Sequence, residues 1–319
     1  SFAIFGSVTG QAHADIQSIK IPYLILGLAF IIVAIIFRFS SVPNKIDLDA
    51  VADEESEDAT KVVHRQSVMN YPQLVLGMLA IFVYVGVEVS TAANLPEFMK
   101  VHLNTPTDKI APFVSLFWAS LMIGRWTGSV GAFDISKGAK EVLRFIMPYI
   151  AFGVFILVNK IANHDVTPFY IYALIIVGLI ICDVLSKGSP ARQLLIFSCM
   201  GILSLLIGIF ADGMVSVYAF ISVGLFCSTL WPCIFTLAIA GLGKHTNKGS
   251  SLLILMIMGG GFVSLLQGWL ASPNMLGIQL SYFVGVACFL YLAFYAVRAK
   301  AILKEQGIDY DKKVSAGGH

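Results

Sequence analysis

Charge is scarce in this sequence. Only 13% of its 319 residues are Asp, Glu, Lys or Arg, against roughly 25% in soluble globular domains. So few charged groups cannot cover a water-facing globular surface of this size. The net charge is +2, and the Lys and Arg residues are scattered over loops. No basic stripe is present to follow a phosphate backbone, so nucleic acid is not an expected partner. The five cysteines, Cys182, Cys199, Cys227, Cys233 and Cys288, all lie in or beside apolar segments. None has metal-ligand spacing and no disulfide framework is expected; they read as small core hydrophobes. No Ser/His/Asp or Cys/His arrangement stands out. The run Gly241-Leu-Gly-Lys-His-Thr-Asn-Lys-Gly249 lacks the residue order and the preceding strand of a phosphate loop. Neither a metal nor a cofactor is expected.

Apolar residues are abundant instead. They make up 57% of the chain, above the roughly 45–50% of soluble proteins. They gather in nine segments, at about 21–39, 73–98, 111–131, 144–159, 168–185, 192–210, 215–240, 250–271 and 278–299. A helix rises 1.5 Å per residue, so about 20 residues cross a ~30 Å hydrocarbon core. The fourth segment is short for a span. Lipid cannot satisfy the edges of open strands, and the segments lack the alternation of barrel strands. The expected fold class is an all-α polytopic membrane protein in contact with lipid.

The chain opens Ser-Phe-Ala-Ile, with no initiator Met and no charged signal-peptide region. Residues 1–6 read as the tail of a helix already under way, so a preceding N-terminal portion is expected. Loop charges orient the spans. With the loop after the first span inside, only Lys20, Lys100, Lys109 and Lys160 of the 21 Lys and Arg residues fall outside. The C-terminus is therefore expected in the cytoplasm. The longest polar stretch, Ser40–Tyr71, carries an acidic run from Asp47 to Asp58. It reads as a solvated linker between two membrane bundles. Four regions result: 1–39 with one complete span, a cytoplasmic linker at 40–72, a membrane bundle at 73–299, and a cytoplasmic tail at 300–319.

Glu88 is the most informative residue. It sits deep in the apolar run 74–93, where a carboxylate costs roughly 3 kcal/mol or more on insertion scales. Such groups usually face a bundle interior or a wet cavity and mark a substrate or ion path. Tyr84, Glu88 and Thr91 share one helical face. Ser90 and Asn94 add polar groups, and Pro96 is expected to disturb the helix just beyond them. Together they predict a polar, breakable helix end lining a site.

Other candidates lie on later spans. Gly124 and Gly128 form a small-xxx-small pair suited to close helix packing. Arg125 between them is expected to reach water or a carbonyl near the inner face, in a structural or gating role. Trp118 in the same span could stack on a sugar ring or pack in the core. Ser228, Trp231 and Phe235 recur at helical spacing, and Pro232 predicts a kink among them. An aromatic face beside a kink suits the apolar face of a sugar, though it also suits plain core. Met258-Gly-Gly-Gly261 permits close backbone approach. Gly260, Val263 and Gln267 share a face, with Gln267 a site residue or an interhelical glue.

Four motifs in order, Tyr84-Val-Gly-Val-Glu88-Val-Ser90, Ile123-Gly-Arg-Trp-Thr-Gly128, Trp231-Pro-Cys-Ile-Phe235 and Gly241-Leu-Gly-Lys-His-Thr-Asn-Lys-Gly-Ser250, resemble the fucose–galactose–glucose:proton symporter family. This is a branch of the major facilitator superfamily, and the likeness is closest to its bacterial glucose/galactose transporters. It covers roughly Tyr71–Ala132 and Arg192–Lys300. The resemblance implies a two-bundle, alternating-access transporter of a monosaccharide in the bacterial inner membrane. The sugar would lie between bundles and a proton would be the coupling ion. Segment 73–98 would be the first helix of the C-terminal bundle, and 21–39 the last of the N-terminal one. It also implies that the coupling carboxylates lie in the N-terminal bundle, which this chain lacks almost entirely, leaving Glu88 as a sugar ligand or gate. The family needs six helices from residue 73, and eight are counted. The surplus maps to Phe133–Ser189, an inserted helix pair expected at the bundle periphery. Two alternatives remain open: a major-facilitator transporter of a drug or organic acid, and an intramembrane enzyme. The enzyme would need converging nucleophile and base groups.

Overall fold

The computed structural model describes residues 16–39, 67–130 and 136–309. The expected linker up to residue 66, residues 133–135 of the helix pair, the tail from residue 310 and the N-terminal residues 1–6 lie outside them. Every regular element among the described residues is helical. Two units are present, 1–51 and 52–319.

The first unit contributes α1, Ile16–Phe39, a helix of 24 residues. Arg38 in its last turn complements the partial negative charge of a helix C-terminus. Its apolar side chains, among them Leu24, Leu28, Ile31 and Ile35, are exposed. An apolar surface of this kind is what lipid or a partner helix covers.

The second unit begins with Ser67 capping a short 3-10 turn, Val68–Asn70, followed by α2, Pro72–Leu103. Proline is tolerated at the first helical position because no N–H is needed there. Then come α3 (Thr107–Ser129), α4 (Lys137–Ile161), α5 (Tyr172–Ser186), α6 (Pro190–Phe210), α7 (Gly213–Cys227), α8 (Leu230–Ile239), α9 (Thr246–Leu255), α10 (Gly259–Leu270), α11 (Gly277–Ser281) and α12 (Phe283–Glu305). Seven helical stretches from residue 72 onward are long and apolar enough to cross a membrane. The chain is an integral membrane protein. α3 falls outside that group, since Trp118, Arg125 and several hydroxyl residues dilute its apolar character, but its 23 residues are long enough to span.

Two expectations change and a third is met. The fourth segment is not short: α4 runs for 25 residues. Pro96 does not break its helix, and α2 continues through it to Leu103. Membrane helices tolerate an interior proline more readily than soluble ones. The kink expected from Pro232 is present one turn before it: α7 ends at Cys227, Thr229 takes φ −110° and ψ 0°, and α8 starts at Leu230. Pro232 has no N–H to give the Ser228 carbonyl, four residues back, so the helical ladder is interrupted there.

α2 is the centre of the bundle, packing on α3, α7, α8, α9, α10, α11 and α12. The closest approach is to α10: a Cβ at Gly259 would lie 2.0 Å from the carbonyl oxygen of Phe82. One turn on, Gly86 faces Val263. The two helices therefore meet backbone to backbone, in the small-residue manner of membrane interfaces. An aromatic core closes the other side, where Phe220 and Tyr282 stack at 3.8 Å and Phe98 meets Phe220 edge-on at 5.0 Å.

α4 and α5 have α3, α6 and α7 as their main partners. Phe169, in the 3-10 turn before α5, sits edge-on to Phe113 of α3 at 4.9 Å. Tyr172 hydrogen-bonds Ser120 of α3 at 2.7 Å. Tyr218 of α7 donates to the Pro168 carbonyl at 2.5 Å.

Candidate substrate-facing site

Glu88 lies halfway along α2, whose 32 residues extend about 48 Å. Its carboxylate is half-buried and accepts a hydrogen bond from Tyr84, one turn earlier on the same face. Tyr84 is fully buried, so its hydroxyl is held in place and fixes one carboxylate oxygen. The Tyr84 ring lies 6.1 Å from that of Trp231, and Trp231 stacks on Phe235 at 6.5 Å. Both of these rings are partly exposed. A charged acceptor thus stands beside a two-ring aromatic surface.

Arg125 is exposed at its side chain, yet its Nε donates to the Ser228 carbonyl at 3.4 Å. That carbonyl belongs to the gap between α7 and α8, where no helical donor reaches it. The positive charge of Arg125 also acts on Glu88 and Tyr84. Gly124 makes this approach possible, since a Cβ there would meet Ser228 Oγ at 1.8 Å. Ser228 is fully buried and turns its hydroxyl to the Leu225 carbonyl. It therefore does not share a helical face with Trp231 and Phe235, because the break separates them. Pro232 and Gly128 are exposed, and Trp118 is 46% exposed, edge-on to Phe117.

The remaining candidates point elsewhere. Ser90, Thr91 and Gln267 are fully buried, and Ser90 Oγ, Thr91 Oγ1 and both amide atoms of Gln267 have no hydrogen-bond partner. The register of the α2–α10 contact is 82 against 259 and 86 against 263; kept up for one more turn it would bring Ser90 level with Gln267. Gly260 is buried in the same seam against Val85 and Val89. Asn94 is occupied with its own helix. Sequence reasoning did not single out Tyr84 as a site residue, though its i, i+4 spacing to Glu88 was the available signal. Gln193 and Thr229, which meet at 3.3 Å beside the break, carried no such signal. No group of His, Cys, Asp and Glu among the described residues could hold a metal ion.

No family model matches the chain. Curated relatives do. A glucose/galactose transporter of Brucella abortus is 31% identical over 304 residues, covering 92% of this chain and 58% of that protein. A putative glucose/galactose transporter of Helicobacter pylori is 26% identical over 290 residues. An L-fucose-proton symporter of Haemophilus influenzae is 24% identical over 265. These relatives bear out the resemblance to the fucose–galactose–glucose:proton symporter family. The chain spans 55–58% of their length. The crystal structure of FucP, a major facilitator superfamily transporter, in the outward conformation shares its fold. It matches with a TM-score of 0.58 over 93% of this chain and 62% of FucP, at 18% identity.

Proposed function

We propose that the protein is a secondary transporter of a monosaccharide of the glucose, galactose or fucose type, coupled to protons and working by alternating access. One observation carries the reading: Glu88, at mid-length of the central helix, is held by Tyr84 beside the Trp231–Phe235 surface. A carboxylate accepts strong hydrogen bonds from sugar hydroxyls, and aromatic faces cover the C–H face of a pyranose. Glu88, Trp231 and Phe235 are the proposed sugar contacts, with Trp118 on the same bundle. Arg125, Gly124, Gly128, Pro232 and Gly260 are proposed as gating or packing positions. Ser90, Thr91 and Gln267 become ligands only if α2 and α10 part; Asn94 and Ser228 would have to give up their present bonds.

Arg125 is engaged by the Ser228 carbonyl and is expected near the inner face, which disfavours an organic acid as solute. The relatives carry transporter names, which supports a transporter reading over an enzymatic one. Residues 73–299 form the proposed C-terminal bundle, with 133–189 as an inserted pair, and α1 is assigned to the other bundle. The loop-charge bias supports a bacterial inner membrane orientation with 40–72 and 300–319 in the cytoplasm. The chain is read as a fragment of that two-bundle transporter, so counterflow and uptake of labelled glucose, galactose and fucose by the two-bundle protein containing it, in proteoliposomes, test the reading. Saturable exchange of one of them, enhanced by an inward proton gradient, is expected. Exchange of none of the three overturns it.

A further inference from the structure

The break between α7 and α8 leaves two helices of 15 and 10 residues end to end. Apolar packing alone would let them pivot. A polar chain fastens this point from outside. Gln193, in the first turn of α6, donates through Nε2 to Thr229 Oγ1 at 3.3 Å and to Asp183 Oδ1 of α5 at 3.4 Å. Its Oε1 accepts from the Cys233 thiol of α8 at 3.5 Å. Asp183, 7% exposed, pairs on its other oxygen with Arg144 Nε of α4 at 3.6 Å. One planar amide thus holds the break itself at Thr229 and the first turn of α8 at Cys233, and its acceptor is braced by the α4–α5 pair.

Thr229 adjoins Ser228, whose carbonyl holds Arg125, and lies two residues before Trp231. We infer that Gln193 is a positioning residue. It fixes the α7–α8 break, and through it the ring of Trp231 and the anchor of Arg125. A planar amide with three partners has one rotamer that serves them all, so its orientation is determined in a way an apolar side chain's would not be. Arg144 and Asp183 act one step further out, by holding the amide. The inference rests on the sugar-facing reading of Trp231 for its functional consequence, but its structural core does not.

The test uses the whole protein in lipid nanodiscs and two readouts. Gln193→Met keeps length and volume and removes all three hydrogen bonds. Amide hydrogen exchange over residues 228–231 should rise about tenfold, as expected for the loss of a net hydrogen bond or two, with residues around Glu88 unchanged. Monosaccharide affinity, read by tryptophan fluorescence, should weaken by a similar factor. Asp183→Asn keeps an acceptor for Gln193 and should stay within about twofold of the parent on both readouts. If Gln193→Met fails to fold, Thr229→Val removes the hydroxyl isosterically and should raise exchange at the same four residues. Unchanged exchange there in either folded variant overturns the inference, as does an even rise across all helices. If the parent protein binds no monosaccharide, the sugar reading fails while the exchange result still decides the role of Gln193.

Discussion

At the scale of single residues, Glu88 separates three roles. Glu88→Gln keeps the volume and the Tyr84 partner but removes the charge. As a sugar ligand, Glu88 would lose a charge-assisted hydrogen bond worth about 1.5–3 kcal/mol, which is roughly tenfold to over a hundredfold in affinity, with proton-driven uptake surviving. This is the expected outcome in binding and uptake assays. Loss of accumulation with exchange intact would make Glu88 the coupling acid instead, and early melting with normal affinity would make it structural. Gly124→Ala places a methyl against Ser228. It should cost about 1–3 kcal/mol of stability by overpacking, and Ser228→Gly in the same chain should recover most of it, a coupling that thermal melts of the double mutant would show. Outside the spans, Asp165 accepts the Thr167 backbone N–H at 2.9 Å, and this bond holds its carboxyl below the usual range. The sign follows: the turn before α5 is fully supported above the unfolded pKa of about 3.9 and loses that support as pH falls through the lower folded value. Titration of Asp165 followed by the Thr167 amide signal checks this. The Glu88–Tyr84 pair was legible because one helix sets both positions. The Gly124–Ser228 and Gln193–Thr229 meetings were not, because they join residues about 100 and 36 positions apart through tertiary packing that no local pattern encodes.

At the scale of elements, apolar length located the helices well, and the punctuation was harder to read. Pro96 and Pro232 look alike in sequence, yet α2 runs through the first, whereas the second leaves a break one turn earlier, at Ser228–Thr229. Gly124 and Arg125 of α3 press against that break, a contact visible only once α3 is in place. The α4–α5 pair illustrates the same point. The proposal that it is an insertion rests on its even helix count, which would leave the topology intact. Its bonds through Tyr172, Pro168 and Asp183 to α3, α7 and α6 were out of reach of the sequence. Replacing residues 136–188 by a short polar loop should leave the other helices folded by circular dichroism. The melting temperature should fall, because Phe113 and Tyr218 lose their partners in the turn before α5. An unchanged melting temperature would mean those contacts contribute nothing.

At the scale of the whole molecule, loop charge predicts sidedness. A single cysteine placed at Lys248 in a chain freed of its five cysteines should react with membrane-impermeant maleimide only in inverted vesicles, and one at Lys160 only in right-side-out cells. The reverse labelling would overturn the orientation. The seam between Gly259 and Phe82 has a mechanical consequence for any such transporter. At Gly259 the Phe82 backbone is met directly, and one turn on the Val263 side chain fills the notch at Gly86, so α2 and α10 interlock and cannot slide past each other in small steps. Unless the seam opens they swing together as one stiff beam, and rocking that moves Glu88 carries the Gln267 face with it.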